Sequence, residues 1–329
     1  MPPLDPRTAP ERIAPGCLRI ALPDPFVPGV TAAFLIGDTS APVLVDAGAD
    51  TDECEAALRD RLAGEGRVMA ELSMVLTHTH LDHAGGLLRD RPRELTVHER
   101  AAAEMREMAP RSSRGPAALR VMGLDEATIA EFAPHGEPVG DAPLADVPID
   151  RELTGPAGEV PGAPGWRWLL AEGHAPGHLM LFDTASRTLL AADQFLQKWK
   201  TPLIVSDPGF DSFGAYLESV EAALALDPVR ICSSHTETIE EASGWLRETR
   251  DSLRRRRERV AGAIGEEAGA ASTGLSAEDT LGVLYPGASR GPLRIVFLRE
   301  ILAMLRHLAL AGELEREVAG GVERFRPAG

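Results

Sequence analysis

The chain has 329 residues, 34 Lys and Arg against 50 Asp and Glu, a formal net charge of −16 and 44% hydrophobic residues. That is enough apolar material for one large soluble domain or two smaller ones. It argues against a low-complexity chain or a generic polyanion binder, and three cysteines without motif spacing (Cys17, Cys54, Cys232) argue against a disulfide scaffold.

No apolar run approaches the ~18 residues of a membrane span, so no membrane partner is expected. The first residues lack the basic-then-apolar layout of a secretion signal, which points to the cytoplasm. Only Lys198 and Lys200 are lysines, and the other basic residues are all Arg. Taken alone, that is a coding bias.

In chain order, Leu18–Leu22, Ala33–Ile36 and Pro42–Asp46 read as short strands. Asp52–Ala63 reads as a helix with Gly64 as its stop. Ser73–Thr77 is a buried-strand pattern leading into a His-rich loop, and Glu94–Val97 is the next strand. This alternation predicts a layered α/β fold. Residues 98–136 read as a helical cover, clearest over Ala101–Met108 and Asp125–Phe132, and 137–165 as loop with short strands. Trp166–Leu170, Leu179–Phe182 and Thr188–Ala192 return to strand character, followed by a helix over Ser212–Leu226 and a strand over Val229–Ser233.

The pattern changes near residue 240. Glu241–Ala261 forms a long helix with Ala242, Leu246, Leu253 and Val260 on one face. Ser276–Asp279 has the form of a capping box opening a helix to about Leu284. Pro292–Leu310 is a third helix closed by Gly312, and Ala319-Gly320-Gly321 joins two alternating runs as a hairpin. Three helices and a hairpin outline a winged helix. The expected division is a catalytic domain over 1–240 and a winged-helix-like domain over 241–329.

The chemistry concentrates in Thr77-His78-Thr79-His80-Leu81-Asp82-His83-Ala84-Gly85-Gly86. Four potential metal ligands fall within six residues after a buried strand. His78 and His80, two apart, cannot share a helix face, so the ligands splay from a strand-end loop. Imidazole nitrogen and carboxylate oxygen suit zinc at about 2.0–2.2 Å. His174 and His178 lie in a loop between strands, and Asp193 and His235 each follow one, where α/β folds build their sites.

The order His78-x-His80-x-Asp82-His83, Gly173-His174-Ala175-Pro176-Gly177-His178, Asp193, His235 resembles the metallo-β-lactamase superfamily, specifically its glyoxalase II-like hydrolases. The resemblance covers roughly residues 15–240. It implies an αββα sandwich with His78, His80 and His174 on one metal, Asp82, His83 and His235 on the other, and Asp193 bridging. Asp82 and Asp193 would then be the catalytic carboxylates. Asp46 matches a position that orients a ligand histidine, with a turn-capping role as the alternative, and His178 is either such a support or a packing residue. The C-terminal pattern resembles the winged-helix extension of a subset that includes a mitochondrial endoribonuclease. Ala175, Ser234 and the Thr31-Ala32-Ala33 run depart from common family residues, which leaves the substrate open.

The resemblance implies two Zn²⁺, with Fe or Mn as alternatives, and a hydroxide held between them that attacks a thioester or ester carbonyl. Acyl-CoA, acyl-carrier and glutathione thioesters form the expected substrate class. Alternatives are an endoribonuclease or phosphodiesterase, a mononuclear iron persulfide dioxygenase, and a nucleic-acid-binding module with a vestigial site. Lys198, Trp199 and Lys200, just past Asp193, form either a substrate-binding segment for an anionic group or an ordinary loop. Arg247, Arg250, Arg254 and Arg257 form a stripe that docks another surface or binds phosphate. Residues 240–329 carry 14 Arg and 14 acidic residues, so the whole −16 lies before them and nucleic acid is a poor partner.

Overall fold

Alternation along the strands sorts the apolar side chains onto two faces, and that sorting builds four layers. The computed structural model describes residues 4–25, 29–107, 115–132, 144–198, 200–267, 274–286 and 292–329. One sheet contains β1 (Glu11–Ala14), β2 (Cys17–Pro23), β3 (Val30–Ile36), β4 (Val43–Val45), β5 (Ser73–Val75), β6 (Glu94–His98) and β7 (Arg151–Leu153) in that spatial order. Pairing is antiparallel from β1 to β4 and parallel from β4 to β7. The second sheet contains β8 (Ala157–Glu159), β9 (Trp166–Leu170), β10 (Leu179–Asp183), β11 (Thr188–Ala192) and β12 (Arg230–Ser233), with only β11 and β12 parallel.

Ala32, Phe34 and Ile36 of β3 meet Leu179 and Leu181 of β10 and Leu190 of β11 in the core between the sheets. The intervening residues point the other way, as a period of two requires. Ala33 and Leu35 pack with Leu58 and Leu62 of α1 (Asp52–Gly64) and with Ala102 and Met105 of α3 (Glu99–Glu107). Met180, Phe182, Leu189 and Ala191 pack with Phe213 and Val220 of α6 (Ser212–Leu226). Helices therefore cover both outer faces, and the αββα expectation holds.

The C-terminal region consists of α7 (Ala242–Glu267), α8 (Ala277–Leu284), α9 (Pro292–Leu310) and the hairpin β13 (Leu314–Ala319)–β14 (Val322–Pro327). The capping box is present: the Ser276 hydroxyl accepts from the Asp279 N–H, and the Asp279 carboxylate accepts from the Ser276 N–H. Architecture changes near residue 240, but the core does not stop there. Leu246, Leu253, Leu302, Leu305 and Phe325 belong to the same apolar cluster as Phe182 and Leu189 of the second sheet. So do Met122, Leu124 and Ile129, near or within α4 (Gly115–Val121) and α5 (Glu126–Phe132). Of the 98–136 cover, α3 lies beside the His-rich loop, whereas α4 contacts β14.

The basic stripe of α7 is a docking face. Arg250 and Arg254 approach Glu221 of α6 at 3.9 and 2.8 Å, and Arg257 pairs with Glu313. One element was not legible in sequence, and another lies inside the helical cover without a start signal of its own. β1 is a four-residue edge strand, and α4 begins at Gly115-Pro116, a pair that reads as a breaker although Pro fits a first helical turn. Residue 64 is the last of α1 rather than its stop, and Gly66 takes the positive φ beyond it.

Candidate metal centre

Five chain segments bring polar side chains to one edge of the sandwich. Asp46 follows β4, the 77–83 loop follows β5, His174 lies between β9 and β10, Asp193 follows β11, and His235 follows β12. Parallel pairing of β4 with β5 and of β11 with β12 places those four strand ends together. Asp46 and Ala192 have positive φ (61° and 43°), a strained backbone for non-glycine residues that recurs at functional sites. Gly85 and Gly86 are needed for close approach instead. A Cβ on Gly86 would lie 2.3 Å from the Ala47 carbonyl oxygen, and one on Gly85 2.4 Å from the Asp50 nitrogen.

His78, His80, His174 and Asp193 form one cluster of converging donor atoms, and Asp82, His83, Asp193 and His235 form another. Hydrogen bonds fix which imidazole nitrogens carry lone pairs. His174 Nδ1 donates to the Pro202 carbonyl at 2.8 Å, leaving Nε2 without a proton. Thr77 Oγ1 donates to Asp46 Oδ2 at 2.8 Å and accepts from His78 Nδ1 at 3.1 Å, which again frees Nε2. Both bare nitrogens point at His80 Nδ1, from 3.1 Å (His78) and 3.0 Å (His174). One N–H at most can satisfy such a triangle. A cation satisfies all three, since ligands at 2.0–2.1 Å in a tetrahedron lie about 3.3 Å apart.

The second cluster obeys the same logic. His83 Nδ1 donates to Asp46 Oδ2 at 2.8 Å, and His235 Nδ1 donates to the Val30 carbonyl at 2.7 Å. His83 Nε2 then lies 3.2 Å from Asp193 Oδ1, and both atoms are buried without a hydrogen-bond partner. His235 Nε2 lies 3.1 Å from Asp193 Oδ2 and 3.2 Å from Asp82 Oδ2. Asp193 Oδ2 is also 3.6 Å from His174 Nε2, so this carboxylate belongs to both clusters.

Burial pushes the His78 and His174 imidazoles down, toward the neutral form that a metal requires. Without a cation, burial still disfavours charge on His83 and His235, but the Asp193 and Asp82 carboxylates outweigh it and hold both well above the usual range. A cation would take the place of the Nε2 proton that those carboxylates then hold. Asp82 and Asp193 are held well down by those histidines despite burial, and remain ionised. The donor set is that of a divalent metal site.

The structure therefore brings together all seven sequence-predicted ligands. Asp46 is buried and braces both clusters, His83 directly and His78 through Thr77. His178 is fully buried against the His78 ring (centroids 4.8 Å apart), and burial holds it neutral. Lys198 pairs with Glu237 at 2.6 Å. Lys200 pairs with Glu300 of α9 and lies over the Phe297 ring, lining a cavity of about 250 Å³ with Tyr216, Trp245 and Arg256. Trp199 lies outside the described residues. Sequence reasoning missed Thr77 as a relay and the Val30 and Pro202 carbonyls as anchors. A backbone acceptor leaves no mark in residue identity.

A four-layer sandwich with paired His/Asp clusters on one edge defines a metallo-hydrolase of metallo-β-lactamase type. The chain belongs to the metallo-beta-lactamase superfamily, whose family model matches residues 27–235. It is 28% identical over 268 residues to the probable metallo-hydrolase YqjP of Bacillus subtilis, covering 76% of this chain and 81% of that protein. Two crystal structures share the fold at 21% identity. One is the metallo-beta-lactamase family protein TTHA1429 from Thermus thermophilus, with a TM-score of 0.73 over 96% of this chain and 100% of that one. The other is a beta-lactamase domain protein from Burkholderia ambifaria, with a TM-score of 0.72 over 97% and 95%. The protein is a metal-dependent hydrolase. Among the described residues no helix is long and apolar enough to cross a membrane.

Proposed function

We propose that the protein is a dinuclear zinc hydrolase acting on thioesters or esters of the acyl-CoA, acyl-carrier or glutathione class. The observation that carries the two-metal reading is the sharing of Asp193, one oxygen facing His83 and the other facing His174 and His235. Two Zn²⁺ at these positions would polarise the substrate carbonyl and lower the pKa of a water molecule.

The chain's residues do the rest. Asp46 and the two backbone carbonyls hold the imidazoles in their ligating tautomers. Asp82, ionised and with its side chain 15% exposed, accepts the proton that the nucleophilic water gives up and returns it to the leaving thiolate or alkoxide. Asp193 stays ionised and fixes the spacing of the two clusters.

Charge supports carbonyl chemistry over cleavage of a nucleic acid. The catalytic lobe carries the whole net charge of −16, and the Arg stripe of α7 is engaged by Glu221 and Glu313. We read residues 241–329 as a winged-helix-like covering rather than a nucleic-acid module, and the three buried free thiols support a reducing cytoplasmic setting. Metal analysis together with turnover of a fluorogenic thioester and of a single-stranded RNA oligonucleotide tests the reading. Two zinc ions per chain and thioester turnover are expected. One iron per chain, or cleavage of RNA alone, would overturn it.

A further inference from the structure

Residues 200–207 form an irregular strap between the metal centre and the C-terminal region. On the metal side, three of its residues are anchored by hydrogen bonds. The Pro202 carbonyl accepts from His174 Nδ1 at 2.8 Å, Ile204 N–H donates to the Gly173 carbonyl at 2.7 Å, and the Thr201 hydroxyl donates to the Gln194 carbonyl at 3.1 Å. On the far side, Leu203 and Val205 are buried among the C-terminal helices, and the Val205 carbonyl accepts from Arg306 Nη1 at 2.9 Å. Arg306 is in turn held by Glu323 of β14 in a two-point pair at 2.9 and 2.8 Å.

This ion pair is almost fully buried, with side chains 4% and 2% exposed. Burying two charges costs about as much as their attraction returns, so an apolar pair would serve stability equally well. What an apolar pair cannot supply is an N–H aimed at the Val205 carbonyl. A segment without helix or sheet bonds of its own takes its conformation from such anchors. The direction of the Pro202 carbonyl, and with it the ring of His174, is set within three residues of that contact.

We propose that Arg306, oriented by Glu323, is a positioning residue for His174, so that the C-terminal region tunes the geometry and affinity of the His78/His80/His174 cluster. The inference rests on the metal-ligand reading of His174 given above. Its test uses the full chain with Zn²⁺ under chelator competition and with Co²⁺ as a spectroscopic probe. Arg306→Met with Glu323→Leu replaces the pair without leaving a lone buried charge, and Arg306→Lys retains the charge but not the fork. Ile36→Ala, which empties a fully buried site between the sheets, is the control for general destabilisation.

The expected result is that both Arg306 variants bind Zn²⁺ at the His78/His80/His174 cluster about tenfold more weakly, the low end for loss of a ligand's support. The visible Co²⁺ bands should shift with it. Ile36→Ala should lower the thermal midpoint, as a core cavity does, and leave affinity and spectrum unchanged. Folded Arg306 variants with wild-type affinity and spectrum, alongside a His174→Ala protein that loses both, would overturn this inference alone. A His174→Ala protein with unaltered metal binding would overturn the ligand reading beneath it.

Discussion

Replacing Asp46 by Asn preserves size and tolerance for positive φ, yet the structure predicts a large defect in metal binding. The carboxylate accepts three hydrogen bonds at 2.8 Å, from the Thr77 N–H, the Thr77 hydroxyl and His83 Nδ1. Asn has one acceptor oxygen, so its NH₂ must face a donor whichever way it turns. If the amide oxygen keeps the Thr77 N–H, the NH₂ confronts His83 Nδ1 and the Thr77 hydroxyl. His83 then escapes only by moving its proton to Nε2, the atom that faces Asp193. The Thr77 hydroxyl escapes only by turning to accept, and gives up its contact with His78. Loss of such support weakens metal binding by roughly 10–100-fold, about 1.4–2.7 kcal/mol. At a free Zn²⁺ concentration of 100 times the native Kd, binding adds about 2.7 kcal/mol to stability, and a tenfold weaker site adds about 1.4. Chelator competition with parallel urea denaturation of apo and zinc-loaded protein measures both quantities. An Asp46→Asn protein that binds two zinc ions with native affinity would refute the bracing role and leave Asp46 a turn cap.

Asp193→Ala should remove zinc from both clusters and abolish hydrolysis, and His80→Ala should empty its own cluster. Full zinc content by mass spectrometry, with undiminished turnover in both, would contradict the ligand assignment. Gly86→Ala places a methyl carbon against the Ala47 carbonyl, beside Asp46. It should cost about 1–3 kcal/mol in chemical denaturation, as overpacking does, and lower zinc content. Burial opposes ionisation of Glu323, but hydrogen bonds from Arg306 and Arg316 hold its carboxyl below the usual 4.5. Its folded value lies below the unfolded one, so its stabilisation is complete above the unfolded value and fades as pH falls through the folded one. Urea midpoints followed from about pH 7 to about pH 3 should therefore fall more steeply for the native chain than for Arg306→Met/Glu323→Leu. Parallel profiles would count against the pair.

The candidate ligands were legible because each sits where a strand pattern ends, and such ends collect at one edge of a layered sheet. The strand character of Ala33–Ile36 and Leu179–Phe182 and the Ser276 capping box were equally readable, because local composition and backbone physics dictate them. What stayed hidden depends on distant parts of the chain. The destination of Lys200 is set by Glu300, a hundred residues away. His98, whose partners also lie far along the chain, is another case. It is buried at the end of β6, with Nε2 donating to the Gly155 carbonyl and its ring against Trp168. The change of pattern at residue 240 suggested a boundary, but side chains from both sides of it interlock in a common core, which periodicity within one segment cannot reveal.

That common core bears on how such a protein can be re-engineered or diversified. Cutting at residue 240 would lay bare much of the apolar cluster that contains Phe182, Leu189 and Ile231, so the truncated lobe should aggregate rather than survive as a minimal enzyme. The exchangeable unit is not residues 241–329 alone. It includes the 200–207 strap and the outer face of α6, which are moulded to those helices. A transplanted C-terminal region without its matching strap would arrive with nothing shaped to receive it, and the metal centre would register the mismatch first.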